Sequence, residues 1–218
     1  MTADLRQIIE GVLLVFAVLI PIVNPLGVAP SFLALTPNFS PPQRATLAWQ
    51  VSVNAWVLLL ASVAIGTYVL EFFGLSVPVV QVGGGLVVSA LGCRFLLDSR
   101  AIDRPAPETT GTRRGLAFHP LTMPLTVGPG SIAVAITIGA NRPHSVRSLL
   151  ISVPTILIGV TLVAAAVLVT YRYAGRLERI NGESGMDALA RLSAFIMLCI
   201  GVQIVWNGAS VLLRMLLR

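Results

Sequence analysis

The stretch Asn24-Pro25-Leu26-Gly27-Val28-Ala29-Pro30 lies inside an apolar run from about Ile8 to Thr36, which Pro21 also interrupts. Proline removes a backbone donor and its ring collides with the carbonyl one turn back, so this heptapeptide is not regular helix throughout. A second stretch, Met123-Pro124-Leu125-Thr126-Val127-Gly128-Pro129-Gly130, interrupts a run from about Leu116 to Ala140 in the same way. Four plainer runs complete the set: about Ala45 to Leu70, Val77 to Leu97, Val146 to Thr170 and Leu189 to Leu213. A helix needs about 20 apolar residues to cross the hydrocarbon core, and each run is long enough. Lipid offers the backbone no hydrogen-bond partners, and none of the runs alternates apolar and polar residues as barrel strands do. The pattern predicts an all-α membrane protein with six transmembrane helices in a single domain over residues 1–218.

Composition supports this. The chain has 218 residues, of which 56% are hydrophobic and only 11% charged, with mean hydropathy +0.87. A soluble domain carries about 25% charged residues, so an ordinary water-soluble globule is excluded. Six spans nearly fill the chain and leave no room for a separate soluble enzyme domain. All 15 basic residues are arginine, and the net charge is +6. They lie between apolar runs, which suits orientation in a bilayer rather than nucleic-acid binding. Cys93 and Cys199 lie inside apolar runs, with neither a Cys-x-x-Cys pair nor a Cys/His cluster. Asp4, Arg6 and Glu10 precede the first run, and no small-x-small cleavage pattern follows. That run is read as a retained span rather than a signal peptide.

Arginine counts predict the orientation. One face holds the N-terminus, the 71–76 and 141–147 turns and the C-terminus, with Arg6, Arg142, Arg147, Arg214 and Arg218. The other holds the 37–44 turn and the 98–115 and 171–188 loops, with Arg44, Arg94, Arg100, Arg104, Arg113, Arg114, Arg172, Arg176, Arg179 and Arg191. Ten against five places the second face in the cytoplasm and both termini outside.

The chain also resembles itself. At a shift of 99 positions Pro25 falls on Pro124, Leu26 on Leu125, Val28 on Val127, Pro30 on Pro129 and Ala34 on Ala133. The second and fifth runs then overlay. The third and sixth overlay at a shift of 109, with Gly92 on Gly201. The expected layout is two three-helix repeats, about 1–97 and 116–218, joined by a cytoplasmic loop at about 98–115, with the first helix of each repeat broken by Pro and Gly. Three spans per repeat is an odd number, so the second copy enters the membrane from the opposite face. Many secondary transporters share that inverted layout.

Irregular backbone at membrane depth is tolerated where it is buried in protein or lines a wet cavity. Each break is followed by a short apolar stretch, Ser31–Thr36 or Ser131–Ala140, that starts a half-helix in this reading. A half-helix N-terminus exposes unpaired N–H groups and a partial positive charge. Two such ends aimed at the midplane make a site for a small anion or a carboxylate. The candidate binding residues are Asn24, Pro25, Gly27, Pro30 and Ser31 in the first break. In the second they are Pro124, Thr126, Gly128, Pro129, Gly130 and Ser131. Gln203 and Asn207 on the sixth run are further amide candidates. Gln50 and Asn54, one turn apart, are expected to hydrogen-bond across helices. His119 is read as an interfacial residue.

The acidic residues Asp4, Glu10, Glu71, Asp98, Asp103, Glu108, Glu178, Glu183 and Asp187 all lie at run ends or in loops. A carboxylate proton relay or intramembrane aspartyl protease is therefore disfavoured. There is no His-Glu-x-x-His, no Gly-x-Ser-x-Gly and no Walker A sequence, so neither an enzyme, a resident metal nor an ATP-driven pump is expected.

Several of these stretches together resemble the MarC family of six-span bacterial inner-membrane proteins. They are Asn24-Pro25-Leu26-Gly27 through Leu35-Thr36, Gly83-Gly84-Gly85, and Pro120-Leu121-Thr122-Met123-Pro124 with Gly128-Pro129-Gly130. Ala190-Arg191-Leu192, Gly201-Val202-Gln203 and Asn207-Gly208 complete them. The chain departs from the family pattern at Val28, where many members have Asn, at Gln81, where Arg is common, and at Ala194, where Gly is frequent. The resemblance implies a transporter of small neutral amino acids such as glycine and alanine, coupled to a proton or sodium gradient and without a cofactor. An exporter of amino acids or small metabolites and a non-transporting scaffold or regulatory protein are the rival readings. The expected partners are a small zwitterionic substrate and the lipid bilayer, with no nucleic acid. A homo-oligomer is allowed, though no motif fixes its number.

Overall fold

A computed structural model describes residues 2–97, 113–140 and 146–217, and among these the secondary structure is helical, without strands. The elements are α1 (Thr2–Val23), α2 (Pro25–Ala34), α3 (Pro41–Phe72), α4 (Val77–Leu97) and α5 (Arg113–Leu116). A widely wound segment, Ala117–Thr126, leads to α6 (Pro129–Ala140), α7 (Val146–Arg172) and α8 (Ala174–Leu216). Five helical spans are long and apolar enough to cross a membrane: Leu5–Ala34, Pro41–Phe72, Val77–Leu97, Ile151–Arg172 and Asp187–Leu216. A bent pair, Ala117–Thr126 and Pro129–Ala140, meets at 69° and brings the number to six when it is counted as one span. Residues 98–112, with Arg100 and Arg104, and the 141–145 turn, with Arg142, lie outside the described residues.

The two predicted breaks differ. At the first, only Asn24 leaves helical geometry, with φ 46 and ψ 56, and α1 and α2 form one span. Asparagine tolerates this left-handed conformation because its short side chain bonds locally. Here Oδ1 accepts the N–H of Gly27 at 3.1 Å. Pro25 occupies the first helical position, where its missing N–H has no intrahelical partner to lose. The second half-helix therefore starts at Pro25 rather than Ser31, and Pro30 sits inside it. At the second break the helix restarts at Pro129 rather than Ser131. The two restarts are 104 positions apart, so the 99-position overlay, which set Pro30 on Pro129, is out of register with the helices.

The 171–188 loop is also corrected. Helix α7 ends at Arg172 and α8 begins at Ala174, with one kink at Gly182 (φ 65, ψ 175). Ala, Leu, Arg and Glu are strong helix formers, so Ala174–Ile180 stays helical although too polar for the membrane interior. Tyr173 makes the corner, its carbonyl accepting the N–H groups of Arg176 and Leu177 at 2.9 and 3.0 Å.

Helices α1 and α2 pack on α7 and α8, while the Ala117–Thr126 segment and α6 pack on α3 and α4. Helix α3 also packs on α7, and α4 lies along most of its length against α8. Glycines let that last pair approach closely. A Cβ on Gly85 would sit 2.7 Å from Val205 N and 2.8 Å from Gly201 O; one on Gly92 would sit 2.7 Å from Leu198 N and 3.0 Å from Ala194 O. The core gathers Leu19, Phe32, Val51, Leu59, Leu121, Val163 and Tyr171. The cross-helix hydrogen bonds of α3 come from Ser52 Oγ to the Ala164 carbonyl at 2.6 Å and Trp56 Nε1 to Thr161 Oγ1 at 3.0 Å. Gln50 and Asn54, expected in that role, are half-buried and line a cleft with Trp49 and Phe118 instead.

Candidate functional site

The second break is built from a tandem, His119-Pro120-Leu121-Thr122 followed by Met123-Pro124-Leu125-Thr126. His119 and Met123 are extended (φ −123, ψ 123 and φ −119, ψ 119), and both following proline bonds are cis. Each threonine closes a wide turn. Thr122 Oγ1 donates to the Ala117 carbonyl and Thr126 Oγ1 to the Leu121 carbonyl, both at 2.6 Å. Having committed its proton, Thr126 accepts the Tyr171 hydroxyl at 2.8 Å. The Tyr171 ring stacks on Phe32 with centroids 4.8 Å apart. Helix α7 thus ties the second break to α2.

After extended Val127, Gly128 takes the N-cap position of α6. Its carbonyl accepts Ile132 N–H at 3.1 Å and Ser131 Oγ at 3.0 Å. The N–H groups of Gly130 and Ser131 fall in the first turn, where no helix carbonyl can take them. At the first break, Pro25 has no N–H to return to Pro21, and Gly27 gives its own to Asn24 Oδ1. The carbonyls of Pro21 and Val23 thereby lose their ordinary helix donors.

Both breaks border one cavity of about 370 Å³. It brings together Asn24, Pro124, Thr126, Gly128, Pro129, Gly130 and Ser131 from the sequence-predicted set. Pro25, Gly27, Pro30 and Ser31 lie along α2 and are not among its lining residues. The expectation that Gly27 would offer its N–H to a substrate is corrected, because Asn24 holds it. Gln203 and Asn207 also lie off the cavity, bonded to each other on the exposed face of α8, Nε2 to Oδ1 at 2.9 Å.

The similarity to known proteins spans these residues. The model of the MarC family integral membrane protein matches residues 9–213, which includes both breaks. This chain belongs to the MarC family. Inner membrane protein MarC of Escherichia coli O1:K1 is 33% identical over 202 residues, covering 88% of this chain and 90% of that protein. Its counterpart in Salmonella arizonae is 28% identical over 221 residues, covering 96% and 99%. No solved structure matches. The chain is a multi-pass inner-membrane protein of this family.

The MarC cavity also contains a residue that the sequence reading passed over. Arg94, exposed in the last turn of α4, is among the residues that line it, as are Asn24 and the start of α6. Among the described residues no carboxylate pairs with it. The signal was an arginine inside the apolar Val77–Leu97 run, counted only towards orientation. An ionisable group within a span is a marker of function in its own right. Among the described residues, no acidic side chain borders the cavity, and no three His, Cys, Asp or Glu side chains come together.

Proposed function

We propose that this MarC protein is a gradient-coupled secondary transporter of small neutral amino acids, glycine and alanine above all. The observation that carries the reading is that two distant helix breaks border one cavity, whose volume falls in the range of about 300–1,000 Å³ usual for small-molecule sites. The substrate carboxylate sits on the Gly130 and Ser131 N–H groups, where the α6 dipole favours negative charge. Arg94 supplies the counter-charge and the Asn24 amide a further donor. The substrate ammonium meets the released carbonyl of Val23, and no acid competes for it.

Alternating access requires two halves that move against each other. The helix pairing supports two inverted repeats. Exchanging them maps the packing of α1 and α2 on α7 and α8 onto that of the Ala117–Thr126 segment and α6 on α3 and α4. The pairs α3–α7 and α4–α8 map onto themselves. At the 109-position shift, the Gly85–Gly201 approach exchanges with the Ala194–Gly92 approach. The arginine distribution places both termini on the periplasmic side in this reading. Protons or sodium carry the gradient, and released carbonyls at broken helices suit sodium.

The test is uptake of labelled glycine and alanine by proteoliposomes, with and without a proton or a sodium gradient. Gradient-dependent uptake that falls strongly in Arg94→Gln and in Ser131→Pro, which removes one of the two N–H groups from the first turn of α6, supports the reading. Absence of gradient-dependent uptake of either amino acid overturns the substrate assignment, and undiminished uptake by both variants overturns the site.

A further inference from the structure

A second cavity, of about 800 Å³, opens where the start of α3 meets the corner between α7 and α8. It is lined by four arginines, Arg44, Arg172, Arg176 and Arg179, against one acid, Glu178. Arg44 is fixed in the wall, donating through Nη2 to the Thr36 carbonyl at 2.7 Å and through Nε at 3.2 Å. Arg176 lies over the Tyr173 ring, 5.3 Å from its centroid. Among the described residues no carboxylate forms an ion pair with Arg172, Arg176 or Arg179. Four guanidinium groups converging on a roomy cleft repel one another unless an anion joins them.

Helix α8 starts at this corner, one residue after α7 ends. It starts at Ala174, has no side-chain cap, and turns Gly175 of its first turn towards the same cleft. Arginine forks match phosphate oxygens in paired hydrogen bonds. The surroundings specify which phosphate. The cleft caps the ends of two membrane-spanning helices, α3 and α7, and the large apolar side chains Trp49 (59% exposed) and Val169 (55%) are exposed one to two turns into them. Basic groups at the water boundary above an outward apolar wall match a lipid, headgroup above and acyl chains below. Basic pockets between transmembrane helices bind acidic headgroups in this way.

We propose that this cleft binds the phosphate headgroup of an anionic membrane phospholipid, in a site separate from the substrate cavity. The site rests on the cluster alone and stands whether or not the protein transports amino acids.

The experiment measures thermal unfolding of the purified full-length protein in detergent. It is titrated with phosphatidylglycerol, with phosphatidylcholine of the same chain length, or with inorganic phosphate. The expected result is a saturable rise in melting temperature with phosphatidylglycerol that exceeds either control. That rise is lost in Arg172→Gln/Arg176→Gln/Arg179→Gln and retained in Arg214→Gln, at the opposite end of α8. An equal rise with phosphatidylcholine, or an undiminished rise in the triple variant, overturns the proposal. An equal rise with inorganic phosphate at matched concentration overturns the lipid assignment. If the triple variant does not fold, Arg179→Gln alone, exposed near the Gly182 kink, serves instead and must reduce the rise.

Discussion

The hydroxyls of Thr126 and Tyr171 stand 2.8 Å apart in the buried interior, although 45 positions separate them in sequence. Thr126 spends its only proton on the Leu121 carbonyl, so the Tyr171 hydroxyl is the donor. This bond, with the Tyr171–Phe32 stack, fastens the wall of the cavity between the two breaks to α2 and α7. The Tyr171→Phe variant keeps the stack and loses one buried hydrogen bond, an expected cost of about 1 kcal/mol. A cycle of Tyr171→Phe, Thr126→Val and the double variant, read by unfolding in detergent, should show coupling of about 0.5–1 kcal/mol. Strict additivity would mean that the bond contributes nothing.

The left-handed conformation of Asn24 gives a second expectation. In a helix interior, alanine is normally better than glycine by about 1 kcal/mol. At Asn24 the order should reverse. Glycine loses the cap to Gly27 but accepts positive φ freely. Alanine loses the cap and also pays about 1–2 kcal/mol for the left-handed backbone. Melting temperatures should therefore fall in the order wild type, Asn24→Gly, Asn24→Ala. Alanine matching or exceeding glycine would show that φ is not positive in the folded protein.

Hydropathy was enough to read the spans, because burying an apolar helix in lipid depends on length and composition alone. It was not enough to read helix continuity at the breaks. One asparagine side chain rescued the first of them, bridging Pro25 where proline counting predicted a longer disruption. The second break was legible as irregular, yet its two threonine-closed turns were not, since their bonds reach carbonyls five positions back. The cavity's cation escaped notice for a different reason. Arg94 sits near the end of its run and looked like one more orienting charge until the helices around it were in place. Gln203 and Asn207 show the converse, two amides one turn apart that satisfy each other on the outer face.

Close packing of α4 on α8 predicts opposite outcomes for two neighbouring glycines. A Cβ at Gly85 runs into the backbone of α8, whereas one at Gly83 meets nothing within 4 Å. Overpacking of this kind costs about 1–3 kcal/mol, so Gly85→Ala should unfold at markedly lower temperature. Gly83→Ala gains up to about 1 kcal/mol of helix propensity and should be neutral or more stable. Equal effects at both positions would contradict the close approach of the two helices.

Transport through the cavity requires that water reach it, whereas a scaffold would keep the breaks dry. Cys93 and Cys199 are both exposed, so each is first replaced by serine. Single cysteines are then placed at Ser131, on the cavity wall, and at Ala29, fully buried in α2 and not among the cavity-lining residues. Both positions are tightly packed in the static structure, so exposure alone does not separate them. Access through the cavity does. A membrane-impermeant thiol reagent should modify Ser131→Cys much faster than Ala29→Cys, and saturating glycine should slow only the first. Equal, slow modification at both positions would leave the irregular backbone buried in protein, which is the other environment that tolerates it. Modification at Ser131→Cys that glycine does not slow would keep a wet cavity but remove glycine from it.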